Sequence, residues 1–314
     1  MSREEKIKSC LQVDEQKLCK AESGAFCFKD IYKKDKKDIK KEEVLSYLIN
    51  TFGLQNYENF PSKFDEAVGG DGNESVKMVS IKSSSLCALL TFFNVKEGNP
   101  ITINGQKYDQ SYFEVKNQVF NNPSNMDVVL INKKEKKILF VECKFSEYLN
   151  QSKVEISNAY RNNAISNEIY DEAINKAKLF HAIDEKSKEG YSYYLSEKCY
   201  MGGLKQIISH YVGLINFIKR NKKEYMKNEP EKKVKDIYQY DYDSVSFIEV
   251  LFKLDTFPDE LAAYQKKSEK LFDIIRNKNT GINFLEGTTY QKIIKDKANK
   301  SFVLPDEVKK YYKY

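Results

Sequence analysis

The sequence predicts an α/β fold with a central mixed β-sheet flanked by helices. Three observations predict it. Two apolar runs, Met126 to Ile131 and Ile138 to Phe145, flank the charged cluster Lys133 to Lys137 and read as a β-hairpin. A further run, Ser244 to Leu254, reads as a core strand. Amphipathic helical stretches alternate with these runs, and that alternation is the pattern of a sheet covered by helices.

The 314 residues suit one elaborated domain or two small ones, and 41% apolar content supports a sizeable core. Charged residues make up 31%, yet the net charge is only +6. This mild basic excess is compatible with nucleic acid without being diagnostic of it. Arginine occurs only at 3, 161, 220 and 276, so lysine contacts to phosphate would outweigh bidentate reading of guanine. Six scattered cysteines form no Cys-x-x-Cys pair, and there are two histidines. A zinc site and a disulfide framework are both disfavoured. No charged leader precedes an apolar stretch, and no run approaches the ~18 apolar residues of a membrane span. The expectation is a cytoplasmic protein with no membrane contact.

Residues 1–40 read as a polar arm or accessory element, with a short helix near Ile7 to Leu18. Lys41 to Phe52 predicts a helix, with Val44, Leu48 and Phe52 on its apolar stripe and Gly53 as its stop. Asp71-Gly72-Asn73-Glu74 has capping-box spacing, which alone would explain Glu74. Ser83 to Ser85 cap a helix over Leu86 to Phe93. Tyr112 to Phe120 reads as a strand. Val154 to Lys188 reads as one long helix, whose Lys153, Arg161, Lys176 and Lys178 form a candidate DNA-backbone face. Tyr191 to Tyr200 reads as an aromatic strand. Gly202-Gly203 opens a strong helix to Arg220, with Gln206 and His210 four apart, off the main core stripe. Residues 221–242 read as a charged connection. Pro258 to Arg276 predicts an amphipathic helix, Ile282 to Leu285 a short strand and Thr289 to Lys297 a helix. Residues 301–314 read as a mobile tail.

The hairpin carries the chemistry. A turn between Lys134 and Glu135 pairs Asn132 with Lys137 and Ile131 with Ile138. Continued, that register sets Asp127 opposite Glu142, and opposed Cβ atoms lie about 5 Å apart. Strand alternation puts Glu142 and Lys144 on one face and Val141, Cys143 and Phe145 on the other. Two converging carboxylates call for a cation, and Mg²⁺ is the usual one at phosphates. Acid-x-Lys triplets arise by chance in a chain this rich in both. This one interrupts an apolar strand, where unpaired charge is avoided. An edge-strand salt bridge is the plainer account of the same residues.

Asp127 followed by Glu142-Cys143-Lys144 resembles the PD-(D/E)XK nuclease superfamily, although the proline directly before the aspartate is absent and Pro123 lies four residues upstream. Gly69-Gly70-Asp71-Gly72-Asn73-Glu74 with Ser83-Ser84-Ser85-Leu86-Cys87-Ala88 resembles the opening motif of a family of bacterial proteins assigned as restriction endonucleases. Phe113 to Lys116, Asn122 to Asp127 and Thr289 to Ile294 resemble its later segments. The resemblance spans roughly residues 40–300. It implies a restriction-endonuclease-like core over 41–300 and a metal-dependent endonuclease of restriction or phage-defence type. Asp127, Glu142 and Glu74, with the carbonyl of Cys143, would hold Mg²⁺, with Mn²⁺ as a substitute. Lys144 would position the attacking water, and Gln206 would support the site. Double-stranded DNA is the expected partner, and cutting both strands from one site per chain would call for a homodimer. A nuclease of the same fold acting on RNA or on branched or damaged DNA, and a non-catalytic nucleic-acid-binding module, are the alternatives. The nuclease reading requires the three charged side chains to meet beside a groove that admits a nucleic-acid strand.

Overall fold

The computed structural model describes residues 1–69, 74–120, 123–187, 190–219 and 233–314. In chain order the elements begin with α1 (Arg3–Ser9), β1 (Leu18–Lys20), β2 (Phe26–Phe28), α2 (Lys41–Phe52), α3 (Phe60–Val68), α4 (Glu74–Lys77) and α5 (Ser84–Phe92). Then come β3 (Ile101–Ile103), β4 (Gln106–Tyr108), β5 (Gln110–Gln118), β6 (Pro123–Asn132) and β7 (Lys137–Lys144). A peripheral layer follows: β8 (Val154–Ile156), α6 (Asn158–Arg161), α7 (Ala164–Asp171), β9 (His181–Ser187) and β10 (Gly190–Ser196). The last group is α8 (Met201–Lys219), β11 (Ser244–Leu251), α9 (Pro258–Arg276), β12 (Ile282–Phe284), β13 (Thr288–Thr289), α10 (Tyr290–Lys295) and α11 (Asp306–Tyr312).

The central sheet runs β12–β11–β7–β6–β5, with β13 also on β11. β5, β6 and β7 are antiparallel neighbours, while β11 lies parallel to β7. The sheet is therefore mixed. Helix α5 packs on one side of β6 and β7, and α8 crosses β5 and β6 on the other. Strands buried on both faces read as near-continuous apolar runs, which is why Val128 to Ile131 and Ile138 to Val141 stand out in the sequence. All eight are fully buried.

The hairpin register is the expected one: Asn132 faces Lys137, Ile131 faces Ile138, and the ladder holds to Val128 and Val141. Helix α2 ends where Gly53 adopts the left-handed conformation, φ 64°. Ser83 caps α5 by accepting the Leu86 N–H at 3.1 Å.

Three expectations are corrected. Val154 to Lys188 is not one helix. Ser157, Asn162 and Asn163 break it, Asn163 capping α7 through the Ser166 N–H at 3.1 Å. His181 to Ser187 is a strand paired with β10. The basic residues expected on one helical face therefore lie on separate elements: Lys153 precedes β8 and pairs with Glu185, and Arg161 ends α6 and lies over the Tyr193 ring at 4.5 Å. Residues 1–40, expected as a polar arm or accessory element, place Ile7, Leu11, Phe26, Phe28 and Ile31 in the common core. The C-terminal residues form α11, with Val308, Tyr311 and Tyr312 buried, and Gln12 donates its N–H to the Tyr311 carbonyl at 2.9 Å. Polar residues dominate both termini, so their few apolar anchors carry little periodic signal. Among the described residues no helix is long and apolar enough to cross a membrane.

Candidate active site

The end of the hairpin brings three of the expected residues together. Glu142 and Lys144 share one face of β7 and form an ion pair. Both are buried, at 2% and 4% exposure. Asp127 remains partly exposed. Its Oδ2 accepts the backbone N–H of Cys143 at 2.6 Å, so the carboxylate stands where the next ladder bond would be.

The backbone is irregular at this point. On the other side of Asp127, the β5–β6 ladder skips one rung, between Phe113–Val128 and Val115–Met126. The β5 residue at that rung is Glu114, buried and left-handed at φ 48°. Such a conformation is costly for a non-glycine residue and persists only when its surroundings enforce it. Strand alternation on β6 also shifts across this rung. Val129 neighbours Phe140, whose ring meets Phe217 of α8 at 5.1 Å. Ser124 is five residues earlier, and strict alternation would put it on the far face. Instead its hydroxyl lies 2.6 Å from His210 Nδ1 of the same helix.

His210 completes the cluster. Its Nε2 is 2.7 Å from Glu142 Oε2. A carboxylate only accepts, so Nε2 carries the proton, and in the neutral ring Nδ1 accepts from Ser124. Both Glu142 oxygens are thus engaged, one by Lys144 and one by His210. Burial pushes the Glu142 pKa up, but Lys144 and His210 outweigh it and hold the group down to about 2. Burial likewise opposes the Lys144 charge, and Glu142 overcomes it, leaving that pKa well above its usual value. Asp127 moves the other way: burial and the Glu142 charge raise it well above the ordinary carboxylate range.

A fourth carboxyl lies beside Glu142 in the sheet. Glu249 of β11 is its register partner and is fully buried. Its Oε1 accepts from the Tyr264 hydroxyl at 2.6 Å, and among the described residues its Oε2 has no hydrogen-bond partner. Burial raises its pKa to about 7.

Among the described residues, no side-chain hydrogen bond ties the remaining expected residues to this cluster. Glu74 is buried but accepts from the Ser85 hydroxyl at 2.6 Å and pairs with Lys77. No hydrogen bond joins it to Asp127, Glu142 or Lys144 among the described residues. Its proposed capping partner, Asp71, lies outside the described residues. Gln206 sits one turn before His210 on α8, and its buried Oε1 has no partner among the described residues. Cys143 turns its thiol to the opposite side of the sheet, where burial lifts its pKa well above normal. It can therefore reach a cation only through its backbone carbonyl.

The donor types suit a hard divalent cation. Asp127 Oδ1 is the carboxylate oxygen in the trio that no described residue engages. Glu142 would have to exchange Lys144 or His210 for a metal. Among the described residues no group of three or more His, Cys, Asp or Glu side chains is placed to hold a metal ion.

His210 and Glu249 were not singled out for a role from the sequence. The i,i+4 spacing of Gln206 and His210 was the available signal for the histidine. Glu249 had a weaker one, a lone acid inside the apolar run Val245 to Leu251. Compared with known protein families, with characterised proteins and with solved structures, the chain finds no match.

Proposed function

We propose that this chain is a metal-dependent endonuclease hydrolysing DNA phosphodiester bonds, of restriction or phage-defence type, on a restriction-endonuclease-like core. The observation that carries the reading is the meeting of Asp127 with Glu142-Cys143-Lys144 at one end of a buried hairpin. Supporting it is the price of that cluster. Desolvating an ion pair costs several kcal/mol per ion, and apolar residues of similar volume are often no less stable. A pair kept in such a place fits chemistry better than stability. The mixed sheet covered by helices on both faces is compatible with the same core.

Asp127 and Glu142, with the Cys143 carbonyl, would hold Mg²⁺ or Mn²⁺. The bound ion would supply charge neutralisation at the phosphate and a more acidic water. Asp127, the partly exposed member of the trio, is the first group a nucleic-acid strand would meet. Lys144, released from Glu142, would orient the attacking water. His210 would keep Glu142 ionised and aimed while Lys144 turns, with Ser124 fixing its ring. Gln206, one turn away, is the candidate helper. Glu74, bonded to Ser85 and Lys77, would have to leave those partners to take part. Double-stranded DNA is the proposed substrate, and cutting both strands would call for a homodimer.

The test is digestion of unmethylated phage DNA in Mg²⁺, alongside RNA and branched DNA. Lys144→Ala is expected to abolish cleavage while DNA binding survives. Full activity in that variant, or undiminished cutting in EDTA, removes the reading. A purely structural cluster would instead show no Mg²⁺ or Mn²⁺ binding that depends on Asp127.

A further inference from the structure

Lys144 is surrounded by acids. The groups that act most on its charge are Glu142, Tyr200, Asp127 and Glu147. Three of the four are carboxyl groups, and a phosphate approaching them meets repulsion wherever they are ionised. Glu147 is also occupied, its Oε2 accepting the N–H groups of Phe145 at 2.6 Å and Ser146 at 2.9 Å. Tyr200 is the one neutral hydrogen-bond donor of the four.

Its placement is unusually constrained. A Cβ on Gly202 would lie 2.8 Å from Tyr200 Cε2, and one on Gly203 would lie 2.8 Å from Cδ1. Only glycine at the start of α8 lets the ring lie this close. A Cβ on Gly203 would also overlap the Tyr264 hydroxyl, the group that donates to Glu249. The Tyr200 and Tyr264 rings are 5.8 Å apart. The ring is thus braced by the helix start on one side and by Tyr264 on the other. Unlike Glu142 and Lys144, Tyr200 is partly exposed, and its hydroxyl bonds to no described residue. Burial raises its pKa more than the Lys144 charge lowers it, so the hydroxyl keeps its proton at neutral pH.

We propose that Tyr200 touches the substrate, its hydroxyl donating a hydrogen bond to a phosphate oxygen beside Lys144. The proposal rests on the nuclease reading above. A fixed, neutral donor gains most as negative charge builds on the phosphoryl oxygens, so it acts chiefly on the rate of the chemical step.

The experiment compares wild type, Tyr200→Phe and Tyr200→Ala on unmethylated plasmid in Mg²⁺, under single turnover, with plasmid affinity measured separately. Tyr200→Phe keeps the packed ring and loses only the hydroxyl. It is expected to cut about 100-fold more slowly, with affinity changed less than about 3-fold. Tyr200→Ala is expected to lose rate and thermal stability together; if it fails to fold, Tyr200→Phe alone decides. Cleavage by Tyr200→Phe at the wild-type rate, or a loss confined to affinity, overturns the proposal and leaves the nuclease reading standing. A wild-type protein that cuts no nucleic acid removes both.

Discussion

The two faces of β7 belong to one strand, yet they are governed by opposite physics. On one side Cys143 and Phe145 enter a dry aromatic layer, with Phe145 stacked on Phe252 at 4.4 Å and near Tyr312 at 6.2 Å. Cys87 lies on the same side, its thiol pushed up to about 12 by burial. On the other side Glu142 and Lys144 are equally buried but held by charge, with His210 and Ser124 closing the network. The first face lowers the free energy of folding by removing apolar surface from water. The second needs every partner in place, because each buried charge is costly alone. Similar burial on both faces therefore says nothing about function; the difference lies in what the burial costs.

Removing one partner should show that difference most strongly. Lys144→Ala leaves Glu142 with His210 alone, and breaking a buried pair costs about 3–5 kcal/mol. Urea denaturation should show that loss, together with absent plasmid cleavage. A stability change under about 1 kcal/mol would mean that the pair is better hydrated than its burial implies.

Phe145→Ala attacks the opposite face. Losing a buried aromatic ring costs about 3–5 kcal/mol. Here cleavage per folded molecule should stay within about 3-fold of wild type. A selective collapse of cleavage would erase the functional distinction between the faces.

The neighbouring acids sharpen the contrast by pH. Glu142 is held down to about 2, so the stability it contributes is complete above its ordinary 4.5 and fades as pH falls through about 2. Glu249 is raised to about 7 from the same 4.5, so it destabilises the fold only when it must ionise. That penalty is absent below 4.5, grows between the two values, and is full above about 7. Glu249→Gln should therefore stabilise the protein by up to about 3 kcal/mol near pH ~8 and leave it unchanged near pH ~4. Thermal melts across that range check this, and a pH-independent difference would show that Glu249 does not titrate as its surroundings imply.

The smallest effect belongs to the peripheral sheet. Lys153 pairs with Glu185 on the surface, both half-exposed. Lys153→Ala should cost less than about 1 kcal/mol, and less still in high salt. A larger loss in denaturant titration would mean that this sheet is more tightly tied to the core than its exposure indicates.

Much of the fold was legible because its signals are local or strictly periodic. Apolar strands bounded by a lysine-rich turn gave the hairpin register down to Val128 and Val141. Leu204, Ile207, Ile208, Tyr211 and Leu214 gave α8, and Pro258 to Arg276 gave α9. The stretch after Lys144 failed for the same reason the others succeeded. Its apolar residues mimic a helical period, but the Asn163 side chain caps a separate helix, and His181 to Ser187 find a strand partner in β10. The terminal segments carry little local signal, because their few anchors, such as Phe28 and Tyr312, are buried by distant parts of the chain.

By itself the sequence determined which residues lie on the strands, and that Asp127 would come near Glu142 and Lys144, because register follows from a turn and an alternating pattern. What surrounds them comes from packing between distant elements. Alternation on β6 shifts at the rung beside Glu114, Ser124 reaches His210, and α8 brings that histidine onto Glu142. Glu249 joins the row through a parallel crossover more than 100 residues away in the chain. None of these follows from neighbours in sequence, since each depends on packing between elements whose separation along the chain carries no local signal.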